Sequence, residues 1–117
     1  NLQNEDLNPP MEEEVSEVAV IDGLCFVIKR ELLKNINGLD EVYGYMHCYD
    51  LDLSLASIAL GFKNVVINIK ASHLSNGGAT RRSIDYKSLV KDDYVLLKKN
   101  CKILQKKWKR LLPLKIT

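Results

Sequence analysis

An α/β fold is expected from three features of the sequence. Two β-rich runs, residues 15–20 and 62–69, flank a helical pattern in which Leu51, Leu55, Ile58 and Ala59 fall at i, i+4, i+7 and i+8. A second pattern follows, in which Val90, Tyr94, Leu97, Cys101, Leu104, Trp108 and Leu111 recur at alternating spacings of 4 and 3. The expected architecture is therefore a few short strands with a central helix, followed by a long C-terminal amphipathic helical segment.

The chain has 117 residues, 46% of them apolar, enough for one modest domain. Residues 1–80 hold 5 Lys and Arg against 12 Asp and Glu, and residues 81–117 hold 12 against 3, so the chain is acidic first and basic last. Three segments are expected: an acidic linker or flexible loop over 1–14, a folded body over 15–82, and the basic helical segment over 83–117. Cys25, Cys48 and Cys101 are scattered and odd in number, neither a disulfide framework nor a zinc spacing, which suits a reducing cytoplasm. No apolar run reaches membrane-spanning length and no signal peptide is visible. Positive charge without a binding motif argues against a nucleic-acid partner.

In chain order, Pro9-Pro10 and Glu12-Glu13-Glu14 neither alternate nor carry an apolar face, as a linker requires. Residues 15–20 and 24–28 read as β-rich runs, with Asp22-Gly23 between them as a turn or bulge. Residues 29–36 read as a short helix with Leu32, Leu33 and Ile36 inward, stopped by Gly38. Asp40-Glu41 opens a loop into the central helix, which starts at or beside an N-cap Asp50 and ends at Gly61 in a left-handed cap. A strand over 62–69 is followed by His73, then by the glycine-rich segment from Asn76 to Arg82 with its Arg81-Arg82 pair. The last pattern, from Asp85 to Leu112, is one long helix or two end to end, closed by Pro113.

Candidate chemistry concentrates at the central helix. A carboxylate at its start accepts backbone N–H bonds, meets the positive end of the helix dipole, and can take a proton from a substrate hydroxyl. Asp50 is the candidate base, with Asp52 orienting it or binding a second polar group. Capping alone would also explain an Asp at a helix start. Tyr43, Tyr45, His47 and Tyr49 crowd the approach, however, and give more hydrogen-bonding surface than a cap uses, suited to the hydroxyl-rich face of a sugar.

Asp22-Gly23 before an apolar run, Gly38-Leu39-Asp40-Glu41, His47-Cys48-Tyr49-Asp50-Leu51-Asp52, Gly61-Phe62-Lys63 and then His73 occur in an order and spacing that resemble the C-terminal, acceptor-binding half of a family-2 glycosyltransferase of GT-A, Rossmann-like fold. The closest resemblance is to the capsule and surface-polysaccharide type, over roughly residues 18–80, with Leu39 standing where the family usually has Phe. The resemblance implies a missing N-terminal nucleotide-binding half with an Asp-x-Asp motif, and a chain that opens on Asn1 fits a fragment, inactive by itself. It implies an inverting transfer of a hexose-type sugar from a nucleotide-sugar donor to a saccharide or lipid-linked acceptor. Asp50 and Asp52 would be catalytic. Asp22, Gly23, Tyr45, His47, Tyr49, Arg81 and Arg82 would bind substrate, and Asp22-Gly23 reads equally well as an ordinary turn. His73 would help hold a divalent metal, Mn²⁺ or Mg²⁺, together with the missing half.

The cysteine usage is what points to the cytoplasm. The basic tail adds peripheral contact with the inner face of the plasma membrane as a second role, besides docking on the body or forming a homo-oligomer. The contrasting expectation is a non-catalytic interaction or oligomerisation module, in which the acidic body and basic helix meet a partner. Asp50 and His73 facing one cleft would distinguish a catalytic origin from it.

Overall fold

In the computed structural model, residues 13–69 and 79–114 are described. They form a small mixed α/β structure with five helices and one two-stranded sheet. Strands β1 (Val15–Val18) and β2 (Asn64–Ile67) pair antiparallel with Val15 opposite Ile67 and Val18 opposite Asn64. Both are shorter than their apolar runs, and among the described residues each pairs only with the other. Asn64 is buried, and its side-chain amide donates to the carbonyls of Ala19 (2.9 Å) and Ser54 (3.0 Å). One side chain thereby ties the end of β1 and the central helix to the start of β2.

Residues 24–28, expected to be β-rich, form no strand. The Asp22 carboxylate accepts the Leu24 N–H at 2.9 Å, turning the chain at Gly23 and Leu24, and Val27 beyond it is 99% exposed. Helix α1 (Arg30–Asn35) follows, buries Leu32, and ends through Asn37 and Gly38, both at positive φ. A short 3₁₀ turn (Glu41–Tyr43), capped by Asp40, leads towards α2.

Helix α2 (Tyr49–Ala59) is the centre of the molecule. Its expected stripe is only partly realised: Leu55 is buried, Leu51 and Ile58 are half-buried, and Ala59 is exposed. Residues Asp52 to Ser57 are all buried, so the helix is covered on more than one side, and polar Asp52, Ser54 and Ser57 share its interior positions. Its end matches expectation. Gly61, at φ +80°, donates to the Ile58 carbonyl (3.0 Å) and Phe62 donates to the Ser57 carbonyl (2.9 Å), the two bonds of a Schellman cap that needs a left-handed residue.

Helix α3 (Ala79–Arg82) precedes the C-terminal pattern, which forms two helices end to end, α4 (Ile84–Leu89) and α5 (Asp93–Lys107), one of the two arrangements expected. Ser83 starts α4 and Asp92 starts α5, because each side chain accepts the backbone N–H three residues on. Arg81 and Arg82, expected in a flexible glycine segment, lie in α3. Tyr94, expected inward, is 62% exposed, and α5 stops at Lys107, six residues before Pro113. The core lies between α2 and α5, where Tyr43, Cys48, Leu55 and Leu104 are buried and Leu51, Cys101, Ile103, Trp108 and Leu111 pack around them. No helix among the described residues is long and apolar enough to cross a membrane.

Candidate functional site

The loop from Tyr43 to Cys48 delivers the chain to α2 with His47 and Cys48 both at positive φ, +70° and +69°. Two successive non-glycine residues in that region are costly, so the surroundings must hold them. Asn100, fully buried in the middle of α5, does so: its amide donates to the carbonyls of Tyr43 (2.8 Å), Met46 (2.7 Å) and His47 (3.2 Å). Two N–H hydrogens shared over three carbonyls fix the loop to α5. The N-cap of α2 is consequently Cys48, and Asp50 is the second helical residue, one step further in than expected.

From there Asp50 reaches across the chain. Its Oδ2 accepts the Gly23 N–H at 3.0 Å and its Oδ1 accepts the Leu51 N–H at 2.9 Å. The neighbouring Ser54 hydroxyl accepts the Ile21 N–H at 3.0 Å and donates to the Asp50 carbonyl at 2.7 Å, which seats residues 21–23 on the first turns of the helix. Tyr49 lies directly over Gly23. A Cβ on Gly23 would come within 2.4 Å of the Tyr49 hydroxyl oxygen, so only glycine admits this approach. Burial, and then the Asp50 and Asp22 carboxylates, push the Tyr49 hydroxyl above its ordinary value and keep it a donor. Asp22, Gly23, Tyr49 and Asp50 thus form one acidic, aromatic face with a hydroxyl donor and unused carboxylate lone pairs, a set able to hold a polyol.

Asp52 turns the other way, because residues two apart on a helix do not share a face. It is 5% exposed, and its Oδ1 accepts from the Tyr43 hydroxyl (3.0 Å) and the Trp108 indole (2.7 Å) while Oδ2 meets Lys107 at 2.9 Å. Lys107 also bonds Asp40 at 2.7 Å. Burial, and then the Asp52 bond, push the Tyr43 hydroxyl well above its ordinary value, while the Lys107 bond holds Asp40 below the usual carboxylate range. A cavity of about 560 Å³ opens here, lined by Gly38, Asp40, Asp52, Lys107 and Trp108 among others; Asp50 does not line it. In this arrangement Asp52 anchors α5 and makes no contact that would orient the Asp50 carboxylate.

A third cluster collects around Asp93, the first residue of α5. His47 Nε2 lies 2.8 Å from Asp93 Oδ1, the Tyr86 hydroxyl donates to the same oxygen, and Arg81 Nε meets Oδ2 at 3.2 Å. The Tyr86 bond, followed by His47 and Arg81 and opposed by burial, holds the Asp93 carboxyl below its ordinary value. Burial and Asp93 push the Tyr86 hydroxyl up to about 12.

Of the residues singled out from sequence, Asp22, Gly23, Tyr49 and Asp50 meet at one face, and His47 and Arg81 meet through Asp93. Tyr45 is 67% exposed and Arg82 is exposed. His73 lies outside the described residues, as do Asn76 to Gly78. Among the described residues no group of three or more His, Cys, Asp or Glu side chains could hold a metal ion, and no step is drawn through one. Asp93, Asn100 and Lys107 escaped the sequence reading. Asn100 was detectable: it is three residues after Leu97 and four before Leu104, a polar side chain on the apolar face.

Compared with known proteins, the chain matches no family model, no curated protein and no solved structure.

Proposed function

We propose that residues 15–82 are the acceptor-side half of an inverting, GT-A-fold glycosyltransferase that moves a sugar from a nucleotide-sugar donor to a saccharide or lipid-linked acceptor in surface-polysaccharide biosynthesis. The observation that carries this reading is the meeting of Asp50 with the Asp22-Gly23 turn, 27 residues apart, through the 3.0 Å bond from the Gly23 N–H to Oδ2. A floor where backbone comes close to ligand and a carboxylate standing beside it are what the resemblance asks of an acceptor site. The acceptor would lie against the Tyr49 ring, which itself rests on Gly23, with one hydroxyl on an Asp50 oxygen. Asp50 takes that proton as the hydroxyl oxygen attacks the anomeric carbon, whose bond to the nucleoside diphosphate breaks in the same displacement. Asp22 and the Tyr49 hydroxyl hold neighbouring sugar hydroxyls. The divalent metal, with His73 and a donor-binding half, would stabilise the departing diphosphate; these belong to the proposal, as do the cytoplasmic location and a contact between the basic face of α5 and anionic lipid.

Asp50→Asn in the full-length protein tests the assignment. Asn offers its one oxygen to the Gly23 N–H, gives up the bond from the Leu51 N–H and no longer accepts a proton, so nucleoside diphosphate released from a panel of nucleotide sugars should fall by about 100-fold or more, far beyond the effect of a stability loss of about 1 kcal/mol. Transfer at the original rate would remove Asp50 as the base.

Exposed Val65, Val66, Ile67 and Ile69, 37–68% accessible on and just after β2, favour a second reading, that of an interaction or self-association module. Sedimentation of the chain with Val66→Lys against the original tests it: an original that self-associates and a variant that does not would support a module, and an original that sediments as a monomer would remove it.

A further inference from the structure

Cys48 and Cys101, 53 residues apart, place their sulfurs 3.8 Å from one another where the start of α2 packs on the middle of α5. Both positions are set by other contacts. Cys48 is the α2 N-cap, held at φ +69° and 4% exposed, while Cys101 follows Asn100, whose amide grips the loop that ends at Cys48. The two thiols are therefore delivered face to face by the same device that shapes the loop. A disulfide bond is about 2.05 Å long, so closing one asks the sulfurs to approach by about 1.8 Å. Access is unequal: Cys101 is half-buried and Cys48 buried, and burial pushes the Cys48 thiol up to about 12. Cys25 is exposed and makes no thiol pair among the described residues.

We propose that Cys48 and Cys101 are a redox-convertible dithiol that a low-molecular-weight disulfide closes, in the folded protein, into a cross-link between α2 and α5. Cys101, the accessible member, attacks one sulfur of the oxidant RSSR as its thiolate, forming a Cys101–SR mixed disulfide and expelling RS⁻. Cys48 then gives up its proton and attacks Cys101 Sγ, expelling the second RS⁻. The pair loses two electrons and two protons, and the oxidant leaves as two RSH. The high Cys48 value makes the second step the slow one at neutral pH and speeds it as pH rises, since the thiolate is the nucleophile. The product staples the turn that carries Asp50 to the helix that carries Asp93, and a monothiol or dithiol reductant reverses it.

The experiment is oxidation of the native chain with oxidised glutathione, followed by alkylation of remaining thiols and peptide mapping. A Cys48–Cys101 peptide, an intact-mass loss of about 2 Da on that pair, and glutathione or alkyl label on Cys25 are expected. Oxidation should also raise the melting temperature by more than about 5 °C, reversibly. In Cys48→Ser, reaction should halt at a glutathionyl group on Cys101. A native protein that keeps glutathione on Cys101 with Cys48 still alkylatable overturns the proposal, as does a cross-link formed only in denaturant. Because the original chain is decisive by itself, the result does not depend on any variant folding.

Discussion

At Gly23 the absence of a side chain is what lets the Tyr49 ring rest on the backbone beside Asp50. Gly23→Ala should therefore cost about 1–3 kcal/mol in urea unfolding, as overpacking does. The cost should shrink in a Tyr49→Phe background, which removes the oxygen nearest the added methyl. Equal costs in both backgrounds would mean that Tyr49 is not what Gly23 accommodates. Asp52 offers a harsher case. Asp52→Ala strips acceptors from the Tyr43 hydroxyl and the Trp108 indole and leaves Lys107 with Asp40 alone, so a loss of about 3 kcal/mol is expected by chemical denaturation. Sequence singled out Asp22, Gly23 and Asp50 because short motifs keep residue identity in view. It named no partner for Asp52 on α5, since Lys107 and Trp108, 55 and 56 residues away, are fixed by how α5 docks, which no local pattern encodes.

Among the elements, α5 has the widest influence. Asn100→Ala removes the amide that holds three carbonyls of the 43–48 loop, and should cost about 3 kcal/mol while raising amide hydrogen exchange in that loop more than in β1 or β2. Uniform acceleration instead would make Asn100 an ordinary core residue. α1, α2 and the Gly61 cap were legible because periodicity and a glycine at the right offset are local signals. The segment from Asp85 to Leu112 was open to one long helix or two end to end; Asp92, accepting the Val95 N–H, decides for two, and the apolar repeat from Tyr94 onward falls on α5 and the residues after it. Residues 24–28 misled: β propensity was present but no neighbouring strand among those described pairs with it, and a strand is a property of two segments.

For the whole molecule, ionisation sets a stability window. Asp93 and Asp40 are held below the ordinary carboxylate value of 3.8, Asp93 chiefly by Tyr86 and Asp40 chiefly by Lys107. With folded values depressed, their stabilisation is present above the unfolded value and is lost as pH falls through the folded ones. Cys48 and Tyr86 have the opposite sign. Burial raises both to about 12 from 9.0 and 10.0, so their stabilisation is complete below those ordinary values and disappears as pH climbs towards 12. Melting temperature against pH should be level near neutrality and fall at both ends, with the alkaline fall reduced in Tyr86→Phe. An unchanged alkaline limb in that variant would discard Tyr86 as a contributor.

The grip of Asn100 on the loop also governs timing. Tyr43 and Asn100 are 57 residues apart, so at roughly 5–20 residues per second a ribosome emits the loop some 3–11 seconds before the side chain that shapes it. Throughout that interval water must serve the Tyr43, Met46 and His47 carbonyls, and the Asp52 carboxylate waits still longer for Lys107 and Trp108. The loop that leads into α2 is therefore shaped only after Asn100 has emerged, later than the bond that seats Gly23 on Asp50.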